Sequence, residues 1–234
     1  MSKSSFMNWA LAAAIALGLA KLVVFPRPSL AATAVPAPAT DMPLASAPGQ
    51  QTAVFAGGCF WGVQAVFQHV KGVLSAVSGY SGGDAKTAEY ETVSTGSTGH
   101  AESVKLLYDP SQVTYGQLLQ VFFSVAHDPT ELNRQGPDEG SQYRSVVFYT
   151  TEEQQKIAAA YIEQLQRGHL FKHKIVTQVV PLTAFYPAEA YHQIYATLHP
   201  DSPYIRFNDA PKVANLKKNF PALYRESPQL VAVR

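Results

Sequence analysis

Residues 51–70 read QTAVFAGGCFWGVQAVFQHV, and the architecture hangs on how they are interpreted. The first half is a short apolar run ending in two glycines, the pattern of a buried strand. The second half places Phe60, Val63, Val66, Phe67 and Val70 at helical spacing. Gly57 and Gly58 let the chain turn sharply from strand to helix. Cys59 stands at that junction, and it is the only cysteine in 234 residues.

On the C-terminal side, VLSAVSGYSGG reads as a strand entering a glycine turn. AESVKLLYD alternates and stops at Asp109-Pro110, a turn signal. Thr114 to Val125 reads as an amphipathic helix with Thr114 as its N-cap. DPTELNRQGPDEGSQ is a long polar loop, and loops of that kind often carry function. YRSVVFYT is a strand, and Thr151 opens a helix, TEEQQKIAAAYIEQLQ, with an acidic first turn. KIVTQVVPL reads as a strand, PAEAYHQIYATLH and APKVANLKKNF as helices. There is no internal repeat. Several connections are too short for parallel crossovers, so a one-domain α+β two-layer sandwich is expected.

Bulk composition excludes several functions. Hydrophobic residues make up 47% of the chain and the formal net charge is +1. With no basic stripe or acidic tail, nucleic-acid binding is not expected. One cysteine makes neither an internal disulfide nor a multi-cysteine zinc site.

The N-terminus is read apart from the fold. Lys3 precedes an apolar run from Trp9 to Ala20, and SLAATA offers a cleavage site after Ala34. The run is short for a bilayer span, and lengthening it to Phe25 means including Lys21. Residues 1–34 are therefore expected to be a signal peptide, with a membrane anchor as the alternative, and the protein to be exported. Residues 35–51, rich in Pro and Ala, are expected as a flexible linker. The catalytic domain would span 52–225, with a tail at 226–234.

At a helix N-terminus, free N–H groups and the helix dipole favour a thiolate, so Cys59 reads as a nucleophile. The plainer alternative is a small buried hydrophobe. Phe60 and Trp61 either wall an apolar pocket beside the sulfur or belong to the core. Tyr90 and Glu102 flank the loop of EYETVSTGSTGHAES. A carboxyl group in a dry pocket has its pKa raised and can donate a proton, although a strand-edge glutamate is more often solvated. RQGPDEGSQYRS adds Asp138 and Tyr143. His169 and His173 follow the Gly168 break at a spacing of four and lack a third ligand, so a solvated helix end is expected rather than a metal site. A cysteine–histidine hydrolase using His100, His127 or His192 stays open at this point.

The ordered set GCFWG, GYSGG, EYETVSTGSTGHAES, YDP, HDPT, RQGPDEGSQYRS and FYPAEAYHQ resembles the A-type peptide methionine sulfoxide reductases, from about residue 52 to residue 200. The resemblance implies a ferredoxin-like α+β core with additional helices and long loops, and no cofactor. It implies reduction of the S epimer of methionine sulfoxide, free or in proteins. Cys59 matches the nucleophile and Glu102 the acid that protonates the sulfoxide oxygen. Tyr90 and Tyr143 match tyrosines that hydrogen-bond that oxygen. Phe60 and Trp61 match the pair that holds the substrate methyl group, and Asp138 an acidic residue beside the substrate. The chain departs from many relatives in having no cysteine in its C-terminal tail and Ser94 in place of another. Recycling is therefore expected to need an external thiol: a thioredoxin-like protein, a glutaredoxin or a small thiol. A monomer is expected.

Overall fold

The computed structural model describes residues 34–231. Residues 1–33, and with them nearly all of the expected signal or anchor segment, lie outside the described residues. Among the described residues no helix is long and apolar enough to cross a membrane.

In chain order the strands and helices are β1 (Gln51–Gly57), α1 (Phe60–Gln68), β2 (Val73–Ser81), α2 (Tyr90–Val93), β3 (Ala101–Tyr108) and α3 (Tyr115–Val121). They continue with β4 (Arg134–Gln135), β5 (Asp138–Glu139), β6 (Ser145–Tyr149), α4 (Glu152–Arg167), β7 (Gln178–Pro181), β8 (Tyr186–Pro187), α5 (Tyr195–Leu198) and α6 (Ala210–Asn219). Six strands form one sheet in the order β7-β6-β1-β3-β2-β8. All neighbours are antiparallel except β6 and β7. The unit β1-α1-β2-β3-α3-β6, with its strands ordered β6-β1-β3-β2, is the expected ferredoxin-like core.

Strand alternation builds the layers. On β1, Ala53 and Phe55 face the helices, where Phe55 stacks on Phe122 with ring centres 4.9 Å apart. Val54 and Ala56 face the other way and join Ala101, Val146 and Phe148 under Val180, Leu182 and Phe185. The same period on β3 puts Val104, Leu106 and Tyr108 in the helix-facing core. Glu102 has their parity, so it points to the side covered by α1.

Thr114 caps α3 as expected, with Gln117 completing a capping box. The helix then widens into a π turn over Phe122–Ala126. Thr151 caps α4, whose Ile157, Ala158, Tyr161 and Leu165 form its buried stripe.

Three expectations change. The Pro/Ala-rich segment does not hang free as a flexible linker. Val35 is buried, its N–H donates to Ser124 Oγ at 3.1 Å, and its carbonyl accepts from Gln120 at 2.8 Å. Tyr161 bonds the Pro36 carbonyl, and the Asp41 carboxylate accepts from Gly116 N–H and Thr114 Oγ1 at the start of α3. Side-chain partners on α3 and α4 fix a backbone that has no ladder of its own. Second, PAEAYHQIYATLH is not one helix. It breaks into a short 3₁₀ turn (190–192) and α5, because Ile194 has φ +53° and Gln193 turns inward to bond Ser78 and Ala188. Third, only residues 178–181 of KIVTQVVPL pair as a strand, parallel to β6. The described tail lies against the end of α1, where Gln229 N–H donates to the Gln68 carbonyl.

Candidate active site

Cys59 is the N-cap of α1, with φ −51° and ψ 123°. The approach to it depends on Gly58, at φ +85°, where a Cβ would lie 2.4 Å from the Gln135 side chain. No L-residue with a side chain fits there without displacing the polar loop. The sulfur is nearly enclosed, the residue being 8% exposed.

Glu102 opens β3 next to this helix start and is 3% exposed. Its Oε2 accepts the Phe60 backbone N–H at 3.0 Å, satisfying one of the free donors of the helix. Burial pushes its carboxyl up to about 8, against the opposing pull of that hydrogen bond. At neutral pH Glu102 therefore holds its proton and has it to give.

The charge state of Cys59 differs from the sequence expectation. Burial first, then the charges of Glu102 and Asp209, push the thiol well above its ordinary value. The Trp61 backbone N–H favours the thiolate but is outweighed. One helix turn supplies partial charge only, and burial in a carboxylate-lined site exceeds it. Cys59 rests as a neutral thiol.

Aromatic rings surround the pair. Phe60 is fully buried, tilted against Tyr80 and His192, and belongs to the core. Trp61 is half-buried. It stacks on Tyr195 with centres 3.8 Å apart, meets the edge of Tyr204, and donates its indole N–H to His192 Nδ1 at 3.2 Å. Tyr90 lies against His192 at 4.4 Å, and its backbone N–H is held by Glu189, which also accepts from the Tyr80 hydroxyl. Tyr143 ends the turn before β6. Burial raises the hydroxyls of Tyr90 and Tyr143, with Glu102 next in order, so both remain neutral donors. Asp138 on β5 accepts from the Tyr204 hydroxyl, and burial raises its carboxyl.

The fold thus brings Cys59, Glu102, Tyr90, Tyr143, Trp61 and Asp138 into one electrostatic neighbourhood. His192, named from sequence only as a candidate hydrolase base, belongs to it as well, as do Tyr195, Tyr204, Glu189 and Asp209, to which sequence reasoning assigns no part. Glu189 and His192 lie in FYPAEAYHQ, a motif that carries no individual roles by itself. Tyr204 and Asp209 lie beyond the motif-bearing stretch, and no local signal marks them.

Two of the three candidate histidines are committed elsewhere, and the third bonds Trp61. His127 is buried between the Phe122 carbonyl and Ser145 Oγ, at 3.0 and 2.7 Å. His100 bonds Gly83 and Asp84. His192 accepts from Trp61. The charges acting on the Cys59 sulfur come from carboxylates. Among the described residues no group of three or more His, Cys, Asp or Glu side chains is arranged to hold a metal ion.

A family model described as peptide methionine sulfoxide reductase matches residues 51–223, the strand–helix pair, the loop and all these carboxylates included. The chain belongs to the peptide methionine sulfoxide reductase family. Within the family it is 64% identical over 186 residues to peptide methionine sulfoxide reductase MsrA 2 of Mesorhizobium japonicum, covering 80% of this chain and 95% of that one. It is 47% identical over 176 residues to an MsrA of Thermus thermophilus, covering 75% and 98%. Among solved structures it is similar to the reduced form of Mxr1 from Saccharomyces cerevisiae, with TM-score 0.61, 31% identity and coverage of 70% and 92%. Methionine sulfoxide reductase A of Corynebacterium diphtheriae gives TM-score 0.56, 34% identity and coverage of 66% and 77%. The α+β fold is common to these family members, and the match extends past residue 200 to take in α6.

Proposed function

We propose that this chain is a peptide-methionine (S)-S-oxide reductase, acting on free and protein-bound methionine sulfoxide. The observation that carries the reading is the Phe60 N–H···Glu102 bond, which fixes a protonated carboxyl beside the lone thiol. Sulfoxide oxygen leaves sulfur only once protonated. Glu102 supplies that proton as the Cys59 sulfur attacks, and takes up the proton the thiol gives up. The sulfoxide S–O bond breaks and an S–O bond to Cys59 forms. The substrate sulfur is reduced by two electrons, Cys59 is oxidised to sulfenic acid, and methionine leaves. Tyr90 and Tyr143 donate hydrogen bonds to the oxygen as its charge develops. Trp61 presents a half-buried face to the methyl group, with Phe60 behind it as core support. Asp138, tied to Tyr204, borders the bound substrate.

Recycling is intermolecular. An external thiol attacks the Cys59 sulfenic acid, forms a mixed disulfide and releases water, and a second thiol frees Cys59. A thioredoxin-like protein, a glutaredoxin or a small thiol has this chemistry. Residues 1–34 take the protein out of the cytoplasm, so the reductant works in an extracytoplasmic compartment. N-terminal sequencing of the fractionated protein checks this; a cytoplasmic protein retaining Met1 contradicts it.

The deciding assay supplies purified protein and dithiothreitol with the separated S and R epimers of a methionine sulfoxide peptide, and quantifies methionine. Methionine from the S epimer alone is expected. None from the S epimer overturns the reading.

A further inference from the structure

We propose that Arg144 is a positioning residue for Tyr143: its guanidinium ties the turn that ends in Tyr143 to the loop that leads into Glu102, and so fixes the tyrosine relative to the acid. The proposal rests on the reading of Tyr143 and Glu102 as the groups that meet the sulfoxide oxygen. Tyr143 closes the 3₁₀ turn Ser141–Tyr143, and Arg144 follows it directly. Residues 94–100 join α2, which begins at Tyr90, to β3, whose second residue is Glu102. Arg144 Nη1 donates to the Ser141 carbonyl and to the His100 carbonyl, each at 2.9 Å. Its Nη2 donates to the Gly99 carbonyl at 2.8 Å. One acceptor lies on the Tyr143 side and two on the Glu102 side, so one planar group sets the gap between the segments.

No strand ladder does this work. In the sheet β1 lies between β3 and β6, and it pairs with β3 only as far as Val104 and with β6 only as far as Ser145. Arg144 spans the gap that opens where β1 ends and the chain turns toward Cys59. Two neutral contacts hold the other end of the loop to the same turn. Ser141 Oγ donates to the Gly96 carbonyl, and Gln142 Nε2 to the Ser94 carbonyl at 3.2 Å. Among the described residues Arg144 forms no ion pair, so its half-buried charge is spent on carbonyl dipoles. The packing reaches GYSGG as well. A Cβ on Gly82, at φ +97°, would lie 2.9 Å from Arg144 Nη2 and 3.0 Å from the Gly99 carbonyl oxygen. Two glycine-bearing stretches, GYSGG and STGSTGH, thus meet at one guanidinium.

The test is single-turnover reduction of an S-sulfoxide peptide by the full chain, with and without Tyr143→Phe. A lysine is a point donor on a flexible stem and cannot span the three carbonyls. Arg144→Lys is expected to slow the chemical step about tenfold, because a small misplacement of reacting groups is costly. The sulfoxide concentration at half-maximal rate should stay within about twofold, since Trp61 on α1 still holds the methyl group. In the Tyr143→Phe background the loss from Arg144→Lys should shrink to about threefold or less, because the hydroxyl it positions is already gone. A role in loop stability alone lowers the urea midpoint and leaves the two losses multiplying. A folded Arg144→Lys protein with the wild-type rate, or losses that multiply, overturns the proposal. If Arg144→Lys does not fold, the same cycle with Arg144→Gln decides on the same two criteria. A wild-type rate in Tyr143→Phe overturns the proposal and leaves the enzyme a sulfoxide reductase. Failure of the wild-type protein to reduce sulfoxide overturns the functional reading instead.

Discussion

The Phe60 backbone N–H donates to Glu102 Oε2 at 3.0 Å, so the acid is bonded to the residue that follows the nucleophile. Any motion of the α1 start relative to β3 breaks this bond. Acid and sulfur therefore move as one unit, which is what concerted attack and protonation require.

Glu102→Gln keeps the hydrogen-bond acceptor and the volume but has no proton to give. The chemical step should slow by about 10²–10⁴-fold in single-turnover measurements. The wild-type rate should also fall as pH rises through about 8, where Glu102 loses its proton. An unchanged single-turnover rate in the variant would assign the proton to water or a tyrosine.

The same residue governs stability against pH. Burial raises its carboxyl from 4.5 in an ordinary setting to about 8 in the fold. Between those values the unfolded chain has released the proton while the native chain keeps it. The native state binds more protons, so stability is lost as pH rises through the window, by about 3–5 kcal/mol in total. His127, lowered by burial from 6.5 to about 4, acts in the opposite sense on the acid side. From pH 6.5 to pH 8.5 the urea midpoint should fall for the wild type and change far less for Glu102→Gln. Parallel falls in both proteins would remove Glu102 as the cause.

Trp61 offers a half-buried indole held by Tyr195, Tyr204 and His192. Trp61→Ala should cost about 1–3 kcal/mol in kcat/KM for a sulfoxide peptide, by loss of the apolar wall around the methyl group. Equal kcat/KM values for the two proteins would return Trp61 to a packing role.

Cys59 is the only thiol in the chain. Without added reductant, each active site should release about one methionine, because one nucleophile accepts one oxygen. A dimedone adduct should map to Cys59, and Cys59→Ser should give no methionine while remaining folded. Two methionines per chain before overoxidation would show that another residue takes part.

Much of this is legible in the order of residues. Gly57-Gly58-Cys59 marks a strand-to-helix junction because only glycine admits that turn. The capping box at Thr114 and the acidic first turn of α4 are local chemistry, complete within four residues. Alternation along β3 assigns Glu102 a face, and the ordered motifs point to the family. PAEAYHQIYATLH reads as a helix because its apolar spacing is helical, while the contacts that break it, Gln193 to Ser78 and Ala188, come from the fold. The Pro/Ala-rich segment reads as a free linker for the same reason, since its partners lie on α3 and α4. Nor can spacing reveal that Tyr204 and Asp209 reach the site, as they come from the far end of the chain. Which groups can react follows from residue type alone, because a thiol, a carboxyl and an indole are written into the chain. Their protonation does not follow from it. Burial and the carboxylates around Cys59 and Glu102 outweigh the pull of one helix N-terminus, and burial is a property of the whole packed chain.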